Sequence, residues 1–459
     1  MEIIKNHHLW NDFGLRVFNF FIVIQKNPRF AVNLFIYSFN SLILKMNKKV
    51  KNIFIKNFIN LSLNQGVNIL IAIIVTPILF QNLGESQFGL VNYAFSIFML
   101  ISIVVSYGYH LNGPKQISIL NDINKEASLI KNLVSLRLFI AIVISLIIIV
   151  FTVTTSFFNN YKLIILFSIP ILFSEAVHPV FYLQGKNNLS VLAILNAVSK
   201  LIYFVLIVLT ITGPDDAFMV NLIYGSVLST LYILYWILFF KKKKLKIDFS
   251  DLNQIKFRLH ENFQFFMSSV AGHVSIHSAL VILKLFVNDS ELGKFALANR
   301  VAFLLRMIPV FIIQSVLQNA TVINKNDNPN LNKYLNYYFK RGLVLTFSLG
   351  VLCTLFSKWI ILLFSGEEII YSNQILSLLS FIPFLAMLNF KNILIILINE
   401  KKDVLNKSTW YSLFFMIPLA LILSYYYRGF GLAVALLISE LISFLVHTIL
   451  LSKSNTNGQ

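Results

Sequence analysis

Runs of about twenty apolar residues follow one another along almost the whole chain, with short polar connections between them. A helix of that length crosses roughly 30 Å of hydrocarbon, so each run predicts one transmembrane helix. A membrane β-barrel would show weaker, alternating segments of about ten residues, which the sequence lacks. We predict an all-α polytopic membrane protein with about twelve spans, at 58–80, 88–110, 133–156, 161–183, 189–212, 217–240, 263–287, 294–318, 342–364, 373–396, 408–426 and 430–451.

Basic residues are distributed unevenly among the connections. Those after even-numbered spans carry lysine and arginine, as at Lys186, 241–258, 324–341 and 400–407, whereas those after odd-numbered spans are poor in both. Loops rich in these residues stay on the cytoplasmic side of a membrane. We therefore expect both termini and the even-numbered connections of this multi-pass protein to be cytoplasmic.

Composition excludes several classes of protein. The chain has 459 residues, of which 57% are hydrophobic and only 12% are charged, about half the charged share of a soluble domain. The formal net charge of +19 lies in short connections, so we expect contacts with membrane lipids and none with nucleic acid. The sequence contains no nucleotide-binding or metal-binding motif, and we expect neither a cofactor nor a metal.

The first 45 residues do not fit the pattern of spans. Residues 1–45 contain two short apolar pieces interrupted by Lys26, Pro28 and Arg29. A methionine, a basic cluster and the first span then follow at 46–80, which is typical of a natural start. We expect translation to begin at Met46, with an amphipathic anchor at the membrane surface as the alternative interpretation of 1–45.

One polar turn occurs twice. The segment "ESQFGLVNYA" at 85–94 aligns without a gap with "DSELGKFALA" at 289–298, and six spans separate the two copies. Six is an even number, so both halves enter the membrane from the same side, as parallel repeats around an axis along the membrane normal. We predict a first six-helix half at 46–240, a cytoplasmic linker at 241–262 and a second half at 263–459.

Two such halves enclose a central cavity, and this arrangement is typical of transporters that work by alternating access. Ionisable and polar groups at membrane depth tend to face such a cavity, because exposure to lipid is costly. Arg306 is the strongest candidate, since it lies near the middle of its span. The full set of candidate cavity residues is Arg306, Arg300, Lys284, Lys200, His273, His277, Asn64, Gln65, Asn68 and Lys391.

Helical spacing supports part of this set. His273, His277 and Lys284 lie within about 40° of one another on one helix face, and Lys200 shares a face with Asn196 and Tyr203. The alternative for the lysines and Arg300 is that their side chains reach the membrane surface. For the asparagines of the first span, the alternative is hydrogen bonding between helices.

Acidic groups are scarce inside the spans. Glu175 and His178 lie one turn apart, and Glu440 and His447 lie two turns apart. A carboxylate and a histidine can carry protons that drive transport, so Glu175 and His178 are candidates for ion coupling. The alternative is a neutralised structural pair.

Residues 57–118 resemble the opening of the polysaccharide transporter family. The shared features are a polar first span, Pro77, the segments at 83–85 and 88–89, and Tyr107–Gly108 before a basic stretch. Members of this family are O-antigen and capsule repeat-unit flippases, in a superfamily with multidrug and toxic-compound extruders and the lipid II flippase. The resemblance implies a flippase for an undecaprenyl-diphosphate-linked oligosaccharide, with a polysaccharide polymerase and a chain-length regulator as partners.

Cationic side chains at membrane depth agree with an anionic cargo, because guanidinium and ammonium groups bind phosphate oxygens. A drug extruder of the same superfamily is the first alternative, and it would favour acidic groups that attract cationic drugs. A membrane-embedded polymerase or glycosyltransferase is the second. Such an enzyme would be expected to carry a sizeable loop with catalytic groups, and no connection here is longer than about 25 residues.

Overall fold

The computed structural model describes residues 48–245, 248–325 and 330–456, with side chains from Ile71 onwards, and these residues form helices without a strand. The first half contains α1 (Lys48–Ser106), α2 (Tyr109–Ser118), α3 (Ile123–Thr154), α4 (Lys162–Leu166), α5 (Pro170–Val177), α6 (Val180–Gly185), α7 (Leu189–Thr210) and α8 (Ala217–Lys243). The second half contains α9 (Leu252–His277), α10 (Ala279–Lys284), α11 (Asp289–Lys325), α12 (Leu331–Leu355), α13 (Ser357–Ser365), α14 (Ile370–Leu379), α15 (Ile382–Leu388), α16 (Phe390–Ile398) and α17 (Lys402–Thr456).

Within the described ranges, nine helical segments are long and apolar enough to cross a membrane. The segment that contains the end of α1 reverses direction at Gly84, whose φ of 71° favours glycine. As a result, the rings of Phe80 and Phe88 are 5.1 Å apart, whereas eight residues of straight helix cover about 12 Å. The helix α17 has a comparable non-helical break at Arg428.

These two breaks divide two long helices into pairs of spans. The prediction of an all-α polytopic membrane protein is confirmed, and the number of spans is about twelve. The main hydrophobic core extends through both halves, because α1 of the first half packs against α11 of the second. Each half also has its own smaller core, around Leu133 in the first and Tyr338 in the second.

The repeated turn has a structural explanation. Its two copies pack against each other at the seam between the halves, where Gly89 lies directly against Gly293. A Cβ atom at Gly89 would lie 2.7 Å from the amide nitrogen of Gly293. One at Gly293 would lie 1.9 Å from the carbonyl oxygen of Glu85. Neither position can carry a side chain without separating the two helices, which accounts for glycine in both copies.

Polar contacts reinforce this seam on one side. The Ser290 hydroxyl donates a hydrogen bond of 2.5 Å to the Glu85 carboxylate, and the Lys294 ammonium lies 3.2 Å from the same carboxylate. Asp289, the counterpart of Glu85 in the second copy, instead pairs with Lys284 of its own half. The seam is thus symmetric in its backbone and asymmetric in its charges.

Parts of the predicted linker at 241–262 are helical. The helix α8 continues to Lys243 and α9 begins at Leu252, so residues 244–251 separate the two helices. Asp251 caps α9 by accepting a 3.0 Å hydrogen bond from the backbone N–H of Gln254. The linker lies against α3, where the Ser250 hydroxyl donates to the Asn132 side chain at 2.5 Å.

Candidate substrate cavity

A cavity of about 370 Å³ lies within the first half and reaches the second. It is bounded by parts of α1, α5, α7, α8 and the break after α5, with Arg300 of α11 at its edge. The polar residues that line it are Asn92, Ser102, Ser174, Glu175, His178, Asn196, Lys200, Tyr203, Asn221, Tyr224, Tyr232 and Arg300. We refer to it as the central cavity.

Two predicted cations, Lys200 and Arg300, line the central cavity. The Lys200 ammonium lies over the Tyr224 ring, 4.2 Å from its centroid, and Tyr203 is the next aromatic neighbour at 6.0 Å. The Arg300 guanidinium donates a 2.8 Å hydrogen bond to the side-chain oxygen of Asn92. Since Arg300 belongs to the second half and Asn92 to the first, this bond links the halves at the cavity.

A second cavity of about 280 Å³ adjoins the first and shares Asn92 and Arg300 with it. His277 lines it, and the His273 ring lies 5.1 Å from the His277 ring, centroid to centroid. The predicted histidine pair is therefore next to the central cavity, with His277 exposed to the adjoining space.

The predicted pair of Glu175 and His178 has a different arrangement. Glu175 forms an ion pair with Arg137 of α3, 3.0 Å between Nη2 and Oε1, and Arg137 also donates to the main-chain oxygen of Glu175. The Arg137 side chain is 2% exposed and the Glu175 side chain 26% exposed, so only the carboxylate reaches the cavity. Sequence reasoning missed Arg137, although a charge inside the predicted span at 133–156 was the available signal.

Arg306 lies apart from the central cavity. Its guanidinium forms an ion pair with Glu440 of α17, and both residues line a separate polar cavity of about 150 Å³ in the second half. His447 lines the same space and contacts Ser408 and Asn389 through its ring nitrogens, at 2.9 and 3.2 Å. Arg306, the strongest candidate for binding the headgroup, thus already has a carboxylate partner.

Replacing Arg306 by alanine should destabilise the protein, because it leaves the Glu440 carboxylate, 14% exposed, without its cation. Arg306 itself is 38% exposed, so we expect a loss on the order of 1–2 kcal/mol, below that of a fully buried pair. Thermal unfolding in detergent measures this effect. The matched control is the neutral pair Arg306→Met with Glu440→Gln, which should be more stable than either single variant. Equal stability of Arg306→Ala and the unmodified protein would contradict the pairing role.

The remaining candidates are placed elsewhere. Lys284 pairs with Asp289 near the seam, and the Lys391 ammonium lies 4.5 Å from the centroid of the Phe339 ring, so neither lines the central cavity. The side chains of Asn64, Gln65 and Asn68 are outside the described residues, as are residues 1–45. In the described part of the chain, no group of three or more His, Cys, Asp or Glu could hold a metal ion.

Comparison with known proteins identifies a matching family and two related proteins. The family described as polysaccharide biosynthesis protein matches residues 54–318, more than half of the chain. A putative O-antigen transporter of Escherichia coli (strain K12) is 23% identical over 404 residues, covering 84% of this chain and 93% of that protein. A putative O-antigen transporter of Shigella dysenteriae is 22% identical over 402 residues, covering 84% of this chain and 97% of that protein.

Solved structures share the fold. An inward-facing multidrug resistance MATE family transporter of the MOP superfamily superposes with a TM-score of 0.65 at 16% identity, covering 85% of this chain and 96% of that one. Lipid II flippase MurJ in an inward closed conformation gives the same TM-score and identity, covering 85% and 87%. The interpretation as a transporter and not an enzyme is confirmed, and the chain belongs to the polysaccharide biosynthesis protein family of multi-pass membrane transporters.

Proposed function

We propose that the protein is a flippase for an undecaprenyl-diphosphate-linked oligosaccharide, an O-antigen or capsule repeat unit, across the bacterial cytoplasmic membrane. The observation that carries this proposal is the pair of cations, Lys200 of the first half and Arg300 of the second, that line the central cavity. Neither cation has a carboxylate partner among the described residues, so both can bind phosphate oxygens. Tyrosine and asparagine side chains beside them offer hydrogen bonds to sugar hydroxyls.

The proposed mechanism is alternating access. The cavity replaces water around the charged headgroup while the lipid tail remains in the bilayer, and no covalent chemistry is required. The repeated turn would close the outer end, with both termini in the cytoplasm as the distribution of basic residues favours. A polysaccharide polymerase and a chain-length regulator are the proposed partners, since they act on the unit after its transfer.

A drug extruder with the same fold is less well supported. Such a protein needs uncompensated negative charge for cationic drugs, whereas Glu175, the acidic group of the central cavity, is paired with Arg137.

Deletion of the gene in its own host tests the proposal. We expect surface polysaccharide to fall and lipid-linked oligosaccharide to accumulate on the cytoplasmic leaflet, where added glycosidase cannot reach it in intact cells. Expression of the full chain should restore export. Normal surface polysaccharide with increased sensitivity to cationic drugs would instead indicate an extruder.

The orientation in the membrane is tested by single cysteines introduced at Glu368 and at Lys243. An impermeant thiol reagent should label only the cysteine at position 368 in intact cells.

A further inference from the structure

The fourth span is interrupted at the central cavity. The helix α5 ends at Val177 and α6 begins at Val180, with Pro179 between them. Proline has no N–H, so the carbonyl of Glu175, four residues earlier, loses its normal helical donor. The N–H of His178 donates to that carbonyl at 3.3 Å, as expected for a tight final turn.

Arg137 completes this helix end from a neighbouring span. It donates to the carbonyl oxygen of Glu175 and, at 3.2 Å, to that of His178, while its second contact with Glu175 is the ion pair with the carboxylate. A cation is favourable at the C-terminal end of a helix, where the carbonyl groups are unsatisfied. The buried guanidinium thereby holds Glu175 and His178 in a defined position at the wall of the cavity.

Both residues line the cavity, and both side chains retain hydrogen-bonding capacity. The Glu175 carboxylate offers about four acceptor positions, of which Arg137 takes one. The His178 ring stacks on Tyr232 with 4.7 Å between centroids, and its buried Nε2 has no partner among the described residues. Such a polar atom is costly unless a ligand completes its hydrogen bond.

The surrounding polar groups are already engaged. Asn196 accepts a hydrogen bond of 3.3 Å from Tyr232, and the hydroxyls of Ser174 and Ser102 donate to main-chain oxygens at 2.7 Å. Along α7, Asn196 precedes Tyr203 by seven residues, or about 10 Å of helix. The cavity thus has one end with Glu175 and His178, next to Asn196, and another with cations, towards Tyr203 and Arg300.

We propose that Glu175 and His178, positioned by Arg137, form a subsite for the sugar that is attached directly to the diphosphate. This inference rests on the proposed flippase function. The Glu175 carboxylate, already paired with Arg137, offers a diphosphate no cationic partner, so the diphosphate is directed to Lys200 and Arg300, whereas the carboxylate accepts hydrogen bonds from an uncharged sugar. The ligand is a sugar that presents hydroxyl or amide N–H donors, and the subsite selects repeat units by this first sugar.

Binding to the purified full-length protein in lipid nanodiscs tests the subsite. The probes are undecaprenyl diphosphate and the same lipid carrying one N-acetylglucosamine. We expect the unmodified protein to bind the sugar-bearing lipid at least about tenfold more tightly, the range of a hydrogen bond to a charged group. In Glu175→Gln the ratio of the affinities for the two lipids should fall to near one, because the neutral amide oxygen is a weaker hydrogen-bond acceptor than the carboxylate.

A second variant distinguishes loss of the subsite from misfolding of Glu175→Gln. His178→Phe keeps the aromatic stack on Tyr232 and leaves the pair of Arg137 and Glu175 intact, while it removes Nε2. It should lower the ratio several-fold. Lys391→Met, outside the cavity, is the control and should retain the full ratio. A full ratio in both Glu175→Gln and His178→Phe overturns the subsite, whereas failure of the unmodified protein to bind either lipid overturns the flippase proposal itself.

Discussion

Replacing both cations of the central cavity, in the double variant Arg300→Gln with Lys200→Met, should abolish export of the repeat unit. Each substitution removes a charge but keeps a local contact. Glutamine can still donate to Asn92, as Arg300 does at 2.8 Å, and methionine can still pack on the ring of Tyr224, 4.2 Å from the Lys200 ammonium. Loss of function would therefore report on charge rather than on packing.

The expected loss of affinity in the double variant follows from the removal of two charge-assisted hydrogen bonds. Each contributes about 1.5–3 kcal/mol, so their loss should weaken binding of undecaprenyl diphosphate by at least about 100-fold. Surface polysaccharide should fall to the level of the deletion strain at equal amounts of membrane protein. Arg300→Lys should retain part of the activity, because an ammonium keeps the charge without the bidentate geometry of arginine.

Lys391→Met is the matched control for this experiment. This variant also removes one positive charge from a membrane helix. In the unmodified protein, however, the Lys391 ammonium lies over the Phe339 ring and not in the central cavity. We expect normal export from this variant. Normal export from the double variant as well would show that the cavity cations do not bind the headgroup.

Gly293→Ala should open the seam between the two copies of the repeated turn. The added Cβ would lie 1.9 Å from the carbonyl oxygen of Glu85, which is a backbone atom and cannot move without shifting its helix. Overpacking of this kind costs about 1–3 kcal/mol or more. If the seam closes the outer end of the cavity, the conformation that is closed at that end should be less populated in this variant. Export of the repeat unit should then fall at least about tenfold.

A cysteine reporter measures the opening directly. Val91 lines the central cavity and is 3% exposed, so Val91→Cys, with Cys353 replaced by alanine, should resist an impermeant thiol reagent in intact cells. Adding Gly293→Ala should make it reactive. Gly272→Ala is the control, because a Cβ at this helical glycine meets nothing within 4 Å. Equal protection of the reporter in all three backgrounds would exclude the seam as the outer closure.

The sequence by itself determined the architecture. Hydrophobic run length and the alternation of basic connections indicated the spans, because insertion into lipid depends on local composition. The repeated turn predicted two halves, and helical spacing placed Asn196, Lys200 and Tyr203 on one face. All three line the central cavity. These properties are local or periodic along a single helix, so they can be predicted from the order of the residues alone.

Only the tertiary structure decided which charges are paired. Arg306 meets Glu440 across 134 residues, and Arg137 meets Glu175 across 38, so neither pair has a signature in local spacing. Lys284, on the same predicted face as the histidines, instead turns to Asp289. The direction in which a buried charge points depends on the rotation and contacts of packed helices. That is why Arg306 has a carboxylate partner, whereas Arg300 and Lys200 have none among the described residues.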